Sequence, residues 1–69
     1  MKAAEIRVNG EKRPLTTGAT IESLLDSLGL DSRAVAVEHN GAIVRRPAYD
    51  TTPLGHGDQL EIVRFVQGG

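Results

Sequence analysis

The sequence contains no cysteine and no tryptophan, and only one phenylalanine and one tyrosine. The lack of cysteine excludes disulfides, thiolate metal sites and a cysteine nucleophile. So few aromatic side chains argue against a surface on which nucleic-acid bases stack. Eight basic and nine acidic residues give a net charge of -1, without the basic stripe typical of a nucleic-acid binder. We therefore expect no nucleic acid among the partners of this protein.

Long apolar runs are also missing, and the first ten residues, MKAAEIRVNG, have one lysine and no hydrophobic stretch. This start predicts neither a signal peptide nor a membrane span, and hence a cytoplasmic protein without a membrane partner. The 69 residues suffice for one domain with a modest core, and leave little room for an enclosed active site. The chain also lacks the G-x-x-x-x-G-K-[ST] phosphate loop.

What is present is a series of short segments with strand periodicity. AEIRVNGEKRPL alternates apolar and polar residues and contains Asn9-Gly10, a pair that favours a two-residue hairpin turn. Pro14 places the return strand at an edge of the sheet, because proline cannot donate to a neighbouring strand. AVAVEHNGAIV predicts two further strands around Asn40-Gly41. RRPAYDTTPLGHGD predicts an irregular connection that contains a helical or 3₁₀ turn.

One helix is predicted, in TIESLLDSLGL, where apolar residues recur at i, i+3, i+4 and i+7. Thr20 is a suitable N-cap, and Gly29 can adopt the left-handed conformation that ends a helix. A single helix must cover one face of a mixed sheet of four to five strands, with the last strand beside the first. The predicted fold is therefore α+β, the β-grasp or ubiquitin-like roll.

The last predicted strand, in QLEIVRFV, is apolar on both faces. Leu60 and Ile62 point to one face, and Val63 and Phe65 point to the other. Because one helix covers only one face of the sheet, we expect Val63 and Phe65 to form an exposed docking surface. The alternative is that the loop around Tyr49 covers these two side chains.

The remaining polar candidates favour structural roles. His39, at a half-buried strand position, and His56, in a loop, have no third ligand at metal spacing, so we expect no metal site. Asp58 is predicted to organise the turn into the last strand through bonds from its side chain to the backbone. Arg45 and Arg46 are interpreted as a solvated charge pair.

The sequence ends in FVQGG, and two terminal glycines are costly to order. Together with VNGEKRPL, GATIESLLDSLGL, VAVEHNGAIVRR and GDQLEIVRFV, this ending resembles the bacterial thiamine-biosynthesis sulfur carriers, the ThiS family. The resemblance covers essentially the whole chain. It implies a β-grasp domain over residues 1–66 and a flexible tail over residues 67–69.

The resemblance implies a carrier and not an enzyme, with no cofactor or metal bound to the chain itself. An adenylyltransferase related to ubiquitin-activating enzymes would use ATP and magnesium to adenylate the carboxylate of Gly69. Sulfur from a persulfide enzyme would displace AMP and leave a thiocarboxylate, which donates sulfur to thiazole synthase. The residues expected to contact partners are Val63, Phe65, Gln67 and Gly68. Gln67 occupies the position at which relatives often carry a third glycine. This difference affects how well the tail fits the channel of a particular partner.

Other functions remain open on the same fold. The small subunit of molybdopterin synthase is also a sulfur carrier. The residues before its terminal glycines are usually rich in proline, whereas VRFVQGG contains none. A ubiquitin-like modifier would use the same Gly-Gly ending to form an isopeptide bond with a lysine. An RNA-associated β-grasp module would favour a basic face and needs no free terminus.

Overall fold

The computed structural model describes residues 3–65 of the chain. The predicted boundary between domain and tail, at residues 66 and 67, falls outside this range. The strands and the helix, in chain order, are β1 (Glu5–Val8), β2 (Glu11–Pro14), α1 (Ile21–Ser27), β3 (Val35–His39), β4 (Ala42–Val44) and β5 (Gln59–Arg64). Two 3₁₀ turns, Ser32–Ala34 and Arg46–Ala48, lie in the connections, and the second confirms the predicted turn in the irregular segment.

The five strands form one sheet in the order β2-β1-β5-β3-β4. Strands β1 and β5 pair in parallel, and the other neighbours are antiparallel. The first and last strands therefore lie side by side at the centre, as predicted, and Pro14 lies in the edge strand β2. This mixed sheet with one α-helix confirms the predicted β-grasp fold. Within residues 3–65, no helix has the length and apolar character needed to span a bilayer.

Helix α1 begins and ends where the sequence predicts. The Thr20 hydroxyl accepts a hydrogen bond from the Ser23 amide, and the Ser23 hydroxyl accepts one from the Thr20 amide, so two amides of the first turn are satisfied. At the other end Gly29 has a φ of 71°. There the Leu30 amide donates to the Leu25 carbonyl at 2.9 Å, which closes the helix. A helix of seven residues is too short to be stable alone and depends on packing.

The core lies between α1 and the inner face of the sheet. Its buried residues are Ile6, Val8, Ile21, Leu24, Leu25, Val35, Val37, Tyr49, Leu60 and Ile62. Tyr49 is only 2% exposed and belongs to this core. Burial raises the pKa of the Tyr49 hydroxyl. The alternative in which the loop around Tyr49 covers Val63 and Phe65 is wrong, because Val63 and Phe65 are exposed while Tyr49 is buried in the core.

Both predicted Asn-Gly turns are present, with positive φ at each of the four residues. The Asn9 side chain has a second role that the local sequence does not show. Its Oδ1 accepts from the Ile62 amide at 2.7 Å, and its Nδ2 donates to the Ile62 carbonyl at 3.1 Å. Strand β1 ends at Val8. Beyond it, the Asn9 side chain makes the two hydrogen bonds with β5 that the backbone of a neighbouring strand would otherwise make.

Candidate functional site

The end of β5 carries the exposed apolar residues that the sequence predicts. Leu60 and Ile62 are buried under α1, whereas Val63 is 61% exposed and Phe65 is 57% exposed on the outer face of the sheet. Val63 lies opposite Ala36 of β3, a small residue that leaves its side chain uncovered. The Phe65 amide donates to the Ala34 carbonyl at 2.8 Å, so Phe65 continues the pairing beyond the strand. We call this pair the Val63–Phe65 surface.

Charged residues border the Val63–Phe65 surface. In the next row of the sheet Glu61 of β5 lies directly opposite Glu38 of β3. Ile43 of β4 lies opposite Glu38 on the other side and is 78% exposed. The exposure of Ile43 was not predicted, although the alternation of Ile43 with the half-buried Val44 contains the signal. The outer face thus combines apolar side chains with two carboxylates.

The other predicted site residues are Gln67, Gly68 and Gly69, and they lie outside the residues that the structure describes. The structure therefore places two of the five, Val63 and Phe65, together on one face next to the start of that segment. The chain continues from Phe65 to Gly69 through four further residues. Even fully extended, four residues span at most about 14 Å. Any group that reacts at Gly69 must therefore come close to the Val63–Phe65 surface.

A polar cluster holds the opposite end of β5 in place. Asp58 Oδ2 accepts from the Gly55 amide at 2.8 Å, which confirms the predicted role of Asp58 in the turn. His39 Nε2 donates to the same oxygen at 2.8 Å, and Asn40 Nδ2 donates to Oδ1 at 3.2 Å. Asn40 Oδ1 in turn accepts from the Gln59 amide at 2.9 Å. This cluster fastens the turn after β3 to the start of β5.

Both histidines have structural contacts, His39 within this cluster and His56 outside it. His39 and Asp58 side chains are each 20% exposed, and they face each other. His56 Nδ1 accepts from the Glu5 amide at 2.9 Å, in a separate contact at the start of β1. Among residues 3–65, no three His, Asp or Glu side chains are close enough to hold a metal ion. The partnership of His39 with Asp58 was not predicted, because their 19-residue separation gives no local signal.

The pKa of Asp58 reflects these contacts. Partial burial raises the pKa, but hydrogen bonds from His39, the Gly55 amide and Asn40 outweigh burial and lower the pKa below its ordinary value of 3.8. A carboxyl whose pKa is lowered by folding stabilises the folded state at pH values above the ordinary pKa that the carboxyl has in the unfolded chain. That stabilisation is lost as the pH falls through the lower folded pKa.

We expect Asp58→Asn to destabilise the protein at pH 7 by about 1.5–3 kcal/mol, since hydrogen bonds to charged groups contribute about that much. The difference in the free energy of unfolding between the variant and the parent should become smaller below pH 4, as the parent carboxylate becomes protonated. Urea denaturation at pH 7 and pH 3 measures both effects. Asp50→Asn, at an exposed position, is the control and should change stability by less than about 0.5 kcal/mol. A deficit of Asp58→Asn that is equally large at pH 3 would contradict the role of the charge.

Comparison with known proteins shows that the chain is similar to sulfur carrier proteins and to a part of some thiazole synthases. The ThiS family model matches residues 6–69. The thiazole synthase of Paramagnetospirillum magneticum is 48% identical over 62 residues, which are 90% of this chain and 19% of that protein. The sulfur carrier protein ThiS of Bacillus subtilis is 39% identical over 66 residues, covering 93% of this chain and 98% of the relative.

A solved structure of the same family has the same fold. The crystal structure of the thiamine biosynthesis protein ThiS from Geobacter metallireducens superimposes with a TM-score of 0.80 at 31% sequence identity. The superposition covers 94% of this chain and 99% of that protein. By contrast, the chain spans only about a fifth of the length of the thiazole synthases that it matches. In those proteins a unit of this kind is part of a longer polypeptide.

Proposed function

Because this chain belongs to the ThiS family, we propose that it carries sulfur in thiamine biosynthesis and is acted on by partner enzymes without catalysing a reaction itself. One observation carries the proposal. The family match extends over residues 6–69 and so includes the Gly68-Gly69 ending. The likeness over nearly the full length of the Bacillus subtilis ThiS protein supports the same function.

The reacting group in this proposal is the carboxylate of Gly69. A carboxylate is a poor electrophile, and an adenylyltransferase partner makes it reactive by transferring AMP from ATP, with magnesium, and releasing pyrophosphate. The terminal sulfur of a persulfide on the partner enzyme attacks the adenylate and displaces AMP, which gives an acyl disulfide. A second thiol of the partner then cleaves the S–S bond, so that the thiocarboxylate is released and the two partner thiols are left as a disulfide. Gly68 and Gly69 have no Cβ atoms, which permits close approach of the partner's backbone and unhindered attack at the carbonyl. Thiazole synthase is the proposed acceptor of the sulfur.

The contribution of this chain is to present Gly69 to its partners. In this proposal the adenylyltransferase binds the ATP and the magnesium. The span of at most about 14 Å between Phe65 and Gly69 requires the partner to contact the domain near Phe65. The Val63–Phe65 surface supplies apolar area at this place, bordered by Glu38 and Glu61. These features fit an activating enzyme that offers an apolar pocket with basic side chains beside it.

The proposal is tested by intact-mass analysis. The chain is incubated with the adenylyltransferase, the persulfide enzyme, ATP and magnesium, and its mass is compared with that of the untreated protein. We expect an increase of one sulfur-for-oxygen exchange, located at the terminal peptide by fragmentation. A chain that gains no sulfur with active partners, or gains it elsewhere, would contradict the proposal.

For the Val63–Phe65 surface we expect Phe65→Ala to raise the Kd for the adenylyltransferase by about fivefold or more, as truncation of a central interface aromatic does. Because Phe65 is 57% exposed, its truncation should change the free energy of unfolding by less than about 0.5 kcal/mol. Titration calorimetry and urea denaturation measure the two quantities. Ile43→Ala, on the same face but farther from the tail, should weaken binding less. Unchanged affinity of Phe65→Ala would remove Phe65 from the interface.

A further inference from the structure

The carboxyl end of β5, from Ile62 onward, is held on its two sides by different kinds of contact. On the β3 side the contact is backbone to backbone, and the Phe65 amide donates to the Ala34 carbonyl at 2.8 Å. On the β1 side the paired residues of the two strands end at Leu60. Beyond Leu60, in the part of the chain that the structure describes, only the Asn9 side chain binds the backbone of β5 on that side. The attachment of the end of β5 to β1 therefore depends on Asn9.

Asparagine suits this place because its side chain has both an acceptor and a donor. Oδ1 of Asn9 accepts from the Ile62 amide at 2.7 Å, and Nδ2 donates to the Ile62 carbonyl at 3.1 Å. Ile62 is only 7% exposed. A buried amide or carbonyl that loses its partner is costly, so these two hydrogen bonds are not easily given up. An ionised aspartate has acceptors only and could not satisfy the Ile62 carbonyl.

The position of Ile62 bears on the proposed reaction because the residues that follow it are those that meet the partner. Gly69, which carries the proposed reacting carboxylate, is seven residues beyond Ile62, and the Val63–Phe65 surface lies between them. A partner that contacts this surface and the terminal carboxylate together needs the end of β5 in one arrangement. If that arrangement is populated for only a fraction of the time, the apparent affinity falls by the same fraction.

We propose that Asn9 is a positioning residue for the reaction at Gly69, and that its two hydrogen bonds to Ile62 hold the end of β5 in the arrangement that the adenylyltransferase binds. The inference rests on the proposed function. Asn9 acts through β5 and not through contact with the reacting groups. Its removal therefore makes the chain a more weakly bound substrate, with a raised KM, and leaves the chemical step, measured by kcat, unchanged.

The second Asn-Gly turn supplies a matched control. Asn9 and Asn40 have φ angles of 51° and 52°, and a glycine follows each of them. Asn40 also binds the backbone of β5, since its Oδ1 accepts from the Gln59 amide at 2.9 Å. Gln59 is the first residue of β5, at the end away from the tail. Glycine adopts positive φ readily, so Asn9→Gly and Asn40→Gly preserve the two turns and remove only the side-chain hydrogen bonds.

Amide hydrogen exchange of the full chain, followed by NMR without any partner, tests the structural part of the inference. In Asn9→Gly we expect the Ile62 amide to exchange about tenfold faster than in the parent, because the end of β5 opens locally more often. In Asn40→Gly the Gln59 amide should exchange faster instead, and the Ile62 amide should remain at the parental rate. Circular dichroism and urea denaturation measure the overall stability of each variant. Parental exchange of Ile62 in Asn9→Gly would overturn the inference.

Steady-state kinetics of the adenylyltransferase, followed by pyrophosphate release at increasing concentrations of the chain, test the functional part. We expect Asn9→Gly to raise the KM for the chain about fivefold or more and to keep kcat within about twofold of the parental value. Asn9→Asp, which loses the donor to the Ile62 carbonyl, should also raise the KM, whereas Asn40→Gly should keep the parental KM. A parental KM for Asn9→Gly, or an equal rise for Asn40→Gly, would overturn the inference and leave the proposed function intact. A parent chain that the adenylyltransferase does not use would instead contradict the proposed function.

Discussion

Deletion of Gly69 is expected to abolish thiocarboxylate formation and to leave the folded domain unchanged. The deletion moves the terminal carboxylate to Gly68 and shortens the reach from Phe65 by one residue, about 3.5 Å. A displacement of this size at a reacting carbonyl is large, because catalysis requires the reacting atoms within about 3–3.5 Å of each other. Intact-mass analysis after incubation with the activating partners measures the loss. Full sulfur gain without Gly69 would contradict the assignment of the reacting carboxylate.

Gly69→Ala separates chain length from the side chain at the same position. A methyl group beside the carbonyl should slow adenylation or sulfur transfer in a channel shaped for glycine. Because residues 67–69 are proposed to form a tail outside the domain, the free energy of unfolding should stay within about 0.5 kcal/mol of the parent. Gln67→Gly is the matched control, since it alters the tail two residues away, and we expect it to remain fully active. A fully active Gly69→Ala protein would show that the channel tolerates a side chain.

Leu25→Ala is expected to have the largest effect on stability, about 2–5 kcal/mol, as for buried leucines truncated in other cores. Leu25 is 1% exposed and belongs to the buried cluster that includes Ile6, Val37 and Ile62. Small domains have a total stability of about 5–15 kcal/mol, so the loss is a large part of what this one has. Urea denaturation followed by circular dichroism measures it.

The control for this prediction is Leu28→Ala in the turn that follows α1. Leu28 is half-buried and packs against the core from its margin, so its truncation should cost less than that of Leu25. The Leu25→Ala protein, where it remains folded, should still gain sulfur at Gly69. A cost below about 1 kcal/mol for Leu25→Ala would contradict its place at the centre of the core.

The features predicted correctly are those that depend on neighbours in the chain. The helix limits at Thr20 and Gly29 and the turn at Asn9-Gly10 follow from backbone preferences of single residues and pairs. The exposure of Val63 and Phe65 was predictable because strand alternation and the single helix leave one face of the sheet uncovered. The assignment of the tail as the candidate site stays a prediction, which rests on the resemblance of the whole chain to one family.

The features that the sequence did not predict join residues far apart in the chain. Asn9 binds Ile62 across 53 residues, and His39 binds Asp58 across 19. Tyr49 lies in the core although its segment is irregular.

The sequence by itself determined the elements, their order, the buried face of each strand and the family, because these depend on local conformational preference and on the periodicity of apolar residues. Only the tertiary structure decided which side chains replace missing backbone partners and which charges meet. Hydrogen bonds and ion pairs between distant residues depend on strand register and on where each strand ends. Register is set by the packing of the whole sheet against α1, so the hydrogen bonds between Asn9 and Ile62 became visible only when β5 was placed beside β1.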